Sequence, residues 1–121
     1  MFVGVLRLSF SIVGASSLKD KRRVVRSFKE RVVNKYRVSV AEVGELDNHR
    51  FAWIGVAVVA NEAAHCDSVL SDVAATASNL PDAILNDRAT EIIPFGHGGA
   101  QIAGGIEKHF DLSSGGHDDD D

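Results

Sequence analysis

Residues 2–12 alternate without a break: Phe2, Leu6, Leu8, Phe10 and Ile12 share one side with Gly4, and Val3, Val5, Arg7, Ser9 and Ser11 share the other. A period of two held this long fits a strand with one buried face and little else. Gly14-Ala15-Ser16-Ser17 ends the alternation, and the period then changes to that of a helix. Leu18, Val25, Phe28, Val32 and Tyr36 fall on one stripe, and the helix is expected to run to about residue 35. Ser17 followed three residues later by Asp20 has the form of a capping box, with Asp in place of the usual Glu.

The rest of the chain continues the pattern. Residues 37–43 read as a second strand with Val38 and Val40 inward, and Gly44 to His49 as a polar turn. Residues 50–60 are rich in aromatic and β-branched side chains and apolar on both faces, as suits a central strand. Asn61 stands where it can cap a second helix over residues 62–78, with Val69, Leu70, Val73 and Ala77 on its apolar side. Residues 83–95 read as a fourth strand, interrupted at Asn86-Asp87-Arg88 by either a bulge or a turn. The order β-α-β-β-α-β is that of an α+β, ferredoxin-like sandwich: a four-stranded antiparallel sheet with two helices on one face. The expected domain is residues 1–96. Residues 97–121 are glycine-rich and end in four aspartates, which reads as a mobile acidic tail with a short helix near residues 106–110.

This architecture leaves the second sheet face uncovered, with Val3, Val5, Phe51, Trp53 and Val59 on it. So much apolar surface is expected to be covered, by a second copy or by the tail, and a homodimer is expected through this face or through the sheet edges. Phe51 and Trp53 also have the alternate spacing with which aromatic side chains of RNA-recognition domains stack on bases. The glycine that follows the basic residue in that motif is absent, and strand one offers valines where an aromatic is needed.

Charge is distributed very unevenly. Nine of the thirteen Lys and Arg residues lie between Lys19 and Arg37 against two acidic residues, a local balance of +7 in a chain of net charge −4. Rotation by 100° per residue gathers Lys19, Arg22, Arg23, Arg26 and Lys29 on one flank of the first helix. Together with Lys21 they are the candidate phosphate contacts, because cations that project together gain from counterion release. Lys19, Lys21, Arg22 and Arg23 near a helix N-terminus also run against the macrodipole, a local violation that points to function. The competing reading is a solvated helix on a protein-binding or self-assembling module that works through its sheet face.

The segments Met1-Phe2-Val3-Gly4-Val5-Leu6, Ser17-Leu18-Lys19-Asp20-Lys21-Arg22-Arg23-Val24-Val25 and Val38-Ser39-Val40-Ala41-Glu42-Val43 resemble the YlxP-like family of small bacterial proteins of unknown function. Ser-Leu-Lys-x-Lys-Arg is its most recognisable block, and the resemblance covers roughly residues 1–95. It implies a ferredoxin-like fold. Genes of the family often lie beside those for translation initiation and ribosome maturation, which implies an RNA or ribosome association. It brings no catalytic residues.

Other chemistry finds little footing. His65, Cys66 and Asp67 are adjacent on the second helix, where neighbours point about 100° apart and do not converge on a metal. Cys66 reads as a small core residue, and Glu42, Glu45 and Asp47 as solvated turn carboxylates. No cofactor, metal or small-molecule substrate is indicated, and the chain is expected to be non-enzymatic. The absence of an eighteen-residue apolar run argues against a membrane span. A first segment that reads as a strand rather than a signal peptide, with a single cysteine, makes the cytoplasm the expected compartment.

Overall fold

The computed structural model describes residues 1–96. Its elements are β1 (Phe2–Ile12), α1 (Leu18–Tyr36), β2 (Ser39–Gly44), β3 (Phe51–Ala60), α2 (Ala63–Ser78) and β4 (Ala83–Pro94). The strands form one antiparallel sheet in the order β2-β3-β1-β4. This is the ferredoxin-like sandwich that the alternation and the element order predict. The expectations for residues 97–121, mobility and a short helix at 106–110, lie outside the described residues.

One core fills the space between sheet and helices. Leu6, Leu8 and Phe10 of β1 and Ile54 and Val56 of β3 meet Phe28 and Val32 of α1 and Leu70 and Val73 of α2. Phe10 and Phe28 pack edge to face with centroids 5.7 Å apart, the arrangement that ring quadrupoles favour. Cys66 is fully buried in the same core, as expected. At Gly4 the approach of α2 is too close for a side chain: a Cβ there would lie 2.8 Å from Leu70 Cδ1 and 3.1 Å from Cys66 Cβ.

The ends of α1 follow from local chemistry. Ser17 is extended (φ −155°, ψ 165°) and its hydroxyl accepts from the Asp20 N–H at 3.2 Å. Asp20 closes the return half of the box one residue early, accepting from the Ser16 N–H at 3.1 Å and the Ser16 hydroxyl at 3.0 Å. These bonds, the Ser16 N–H first, together with the charge of Arg23, hold the Asp20 carboxyl below its ordinary pKa. At the other end Arg37 takes the left-handed conformation (φ 56°, ψ 50°), and its N–H reaches the Val33 carbonyl at 3.0 Å.

Two details resolve or correct the sequence reading. The interruption in β4 is a bulge: pairing with β1 shifts between Ser9–Asp87 and Phe10–Leu85, leaving Asn86 as the extra residue. The second helix is capped by Glu62, not by Asn61, and Glu62 makes no side-chain cap bond. Because α2 begins at Ala63, Asn61 lies one residue too far out to reach the orphan N–H groups of the first turn. Among the described residues no helix is long and apolar enough to cross a membrane.

Candidate functional site

Of the six candidate cations on α1, Lys19, Arg22, Arg23, Arg26 and Lys29 are all exposed. Phe28 and Val32 fix the rotation of the helix by anchoring it in the core. Lys19, Arg22, Arg26 and Lys29 then lie within roughly 80° of one another around the axis, with Arg23 about 40° further round. Among the described residues, the first four have no carboxylate within ion-pair distance. Arg23 makes a loose pair with Asp20 at 3.8 Å. It also leans into a cleft of about 420 Å³ that contains Asp20, Ser27 and Asp82. That cleft has mixed charge, so it does not extend the basic strip.

Lys21 does not belong with them. Its side chain is 1% exposed, and its ammonium lies 2.6 Å from Glu42 Oε2, 2.6 Å from the Glu45 carbonyl and 2.8 Å from the Asn48 carbonyl. Three acceptors match the three donors of an ammonium, so no phosphate can reach it. The reason was present in the sequence. Lys21 follows Leu18 by three residues and precedes Val25 by four and Phe28 by seven, which places it on the core stripe. Glu42 is likewise not a solvated turn residue. It projects from the helix-facing side of β2, paired with Ile54 of β3, and its side chain is only 18% exposed. The Ser-Leu-Lys-x-Lys-Arg block is thus largely structural: Ser17 caps the helix, and Lys21 ties it to the β2–β3 turn.

The register gathers all five candidate sheet-face residues on the side away from the helices. Val3 pairs with Val59, Ser9 with Trp53 and Ser11 with Phe51, and Val5 pairs with Ala57. Val5, Phe51, Trp53 and Val59 are exposed, and Val3 is half-buried. The face has relief. Phe51 and Trp53 form a ridge towards one end, and Val3, Val59 and Ile93 form another towards the opposite end. Between them runs a trough of about 550 Å³ in which Ala41, Gly55, Ala57 and Ala89 are low and Val5, Val43 and Glu91 stand higher. Gly55 cannot take a side chain freely, since a Cβ would lie 3.0 Å from Val43 Cγ1.

Arg7 stands in this trough. Its guanidinium lies 5.2 Å from the Trp53 ring centroid and 3.8 Å from Asp87. One face of the indole is therefore already occupied by a cation. β1 contributes valines and no aromatic side chain to this surface, so Phe51 and Trp53 of β3 are its aromatic side chains among the described residues.

Among the described residues no group of three or more His, Cys, Asp or Glu could hold a metal ion. His65 and Asp67 point outward while Cys66 is buried, so the three diverge as the helical spacing requires.

The uncharacterized protein YlxP of Bacillus subtilis (strain 168) is 31% identical over 80 residues, which cover 66% of this chain and 87% of that protein. A solved structure, the de novo designed protein Foldit4, aligns with a TM-score of 0.49 at 9% identity, over 78% of this chain and 98% of its own. A family model described as "Protein of unknown function (DUF503)" matches residues 3–89, and the chain belongs to this YlxP-like family.

Proposed function

We propose that the exposed strip of α1 is a contact surface for the phosphate backbone of RNA, and that the protein is a non-enzymatic accessory factor acting on RNA or the ribosome. One observation carries the reading: Lys19, Arg22, Arg26 and Lys29 project together, without an ion-pair partner among the described residues, in a chain that is otherwise strongly acidic. A purely structural helix gains nothing from that arrangement, since like charges at i,i+4 and i,i+3 repel. A polyanion relieves the repulsion and releases counterions as it binds. Arginine at two of the four positions suits bidentate phosphate contacts. The strip has few groups that read base edges, so selectivity would come from RNA shape. The gene neighbourhood of the family favours ribosomal RNA among the possible polyanions.

The test is co-sedimentation of the protein with ribosomal subunits and binding to total RNA at low salt. Wild type is expected to bind and Arg22→Glu/Arg26→Glu to lose binding while retaining its fold. Equal binding by both proteins would remove the strip from the account.

A further inference from the structure

The sheet face away from the helices is an apolar surface that the described residues leave uncovered. Phe51 at 42%, Trp53 at 38%, Val59 at 61% and Ile93 at 38% exposure lie on it together. Monomeric proteins rarely leave contiguous apolar patches beyond a few hundred Å² open to water.

We propose that this face is a homodimer interface in which two sheets pack face to face about a twofold axis, with the aromatic ridge of each copy seated in the small-residue trough of the other.

Shape makes the face self-complementary. A twofold axis that crosses the strands near the Arg7–Gly55 row sends the Ser9–Trp53 row of one copy onto the stretch between Gly55 and Ala57 of the other. Trp53 then lies over Ala57 beside Val5, and the Val3–Val59 ridge lands near Ser11 and Phe51.

Charge speaks against a polyanion on this face. The charged groups of the face are Arg7 with Asp87 and Glu91, and β4 presents those two carboxylates on either side of the arginine. A polyanion would meet the carboxylates. In the twofold arrangement the two Arg7 side chains meet near the axis, each held by Trp53 and Asp87 of its own copy. The positive α1 helices, on the far side of each sheet, are kept apart.

Size is sufficient. Four strands about 4.8 Å apart and about ten residues long, at about 3.3 Å each, present roughly 600 Å². Two copies would bury on the order of 1,200 Å², within the range of specific interfaces.

Trp53 is the single tryptophan of the chain, so it reports on this face without labelling. The experiment follows its emission and its quenching by acrylamide in the full-length protein, with sedimentation velocity in parallel, from about 1 µM to about 100 µM, the range in which interfaces of this size associate or are already complete. The expected species has twice the 13.0 kDa mass of the chain, with blue-shifted emission and quenching reduced several-fold. Ala57→Glu places a charge beneath the partner's indole and is expected to give a monomer with a fully quenchable Trp53, whereas Ala57→Ser retains the dimer. If Ala57→Glu fails to fold, the wild-type series decides alone. A monomer at every concentration would overturn the proposal. So would a dimer whose Trp53 stays as quenchable as in the monomer, which would indicate pairing through the β4 edge. A monomer with Trp53 already protected would assign the face to the chain's own residues 97–121 and overturn it equally. Protection that appears only when RNA is added would assign it to base stacking, again against the dimer.

Discussion

Lys21 Nζ lies 2.6 Å from Glu42 Oε2 in the interior of the protein, with the Glu45 and Asn48 carbonyls completing the ammonium's hydrogen bonds. This contact ties the first turn of α1 to the turn between β2 and β3. It separates the cations of α1 into one that holds the fold and several that face solvent. Among the described residues, Oε2 of Glu42 is buried with no hydrogen-bond partner of its own beyond this ion pair. Removing either charge therefore strands the other.

Lys21→Met or Glu42→Leu alone is expected to cost about 3–5 kcal/mol, the penalty of an uncompensated buried charge. The double variant should cost much less than the sum, because no isolated charge remains. Denaturant unfolding of the four proteins measures this coupling. Additive losses would mean that the pair is not a pair in solution.

Asp20 gives the protein a defined acid limb. Its carboxyl is held below its ordinary pKa by the Ser16 N–H and hydroxyl, Arg23 and Ser17. A depressed carboxylate contributes stability that is present above its unfolded pKa and is lost as pH falls through the folded value. Wild type should therefore exceed Asp20→Asn in thermal midpoint at neutral pH, and the two should converge on the acid side of the carboxylate range. A gap that persists undiminished in acid would contradict the assignment.

Gly4→Ala should destabilise by about 1–3 kcal/mol, the usual cost of overpacking. The new methyl meets Leu70 Cδ1 at 2.8 Å, and Cys66 and Val58 block escape at 3.1 and 3.2 Å. Chemical denaturation checks this, with unchanged stability as the opposing result.

Arg37→Gly should do the reverse. A left-handed non-glycine residue at a helix C-cap carries about 1 kcal/mol or more of strain, of which glycine recovers part after its own entropic cost. A gain of about 0.5 kcal/mol in unfolding free energy is expected, with no change in helix content by circular dichroism.

Much of the fold was legible because its signals are local. The alternation of residues 2–12, the stripe from Leu18 to Tyr36 and the doubly apolar run at 50–60 each specify an element without reference to the others. The sheet face was equally legible: once the order βαββαβ is read, period two places Phe51 and Trp53 opposite the helices. What escaped depends on contacts between distant segments. Glu42 looks like a turn carboxylate until β3 fixes its register and turns it towards Lys21. Lys21 looks like one more surface cation because its neighbours in sequence are basic, although its helical phase placed it on the core stripe. Asn86 left the choice between turn and bulge open, because only the pairing with Ser9 and Phe10 decides it.

The measurement that bears most directly on the central claim is the salt dependence of RNA affinity for wild type and for Lys19→Ala, Lys21→Met, Arg22→Glu/Arg26→Glu and Lys29→Ala. Log affinity should fall linearly with log salt for wild type. Each exposed cation removed should lower the magnitude of the slope by about one and weaken binding to all sequences alike. Lys21→Met should weaken the fold and, where still folded, leave the slope unchanged. A slope indifferent to Lys19, Arg22, Arg26 and Lys29, or no binding at low salt, would contradict the account and leave the strip a solvated helix face.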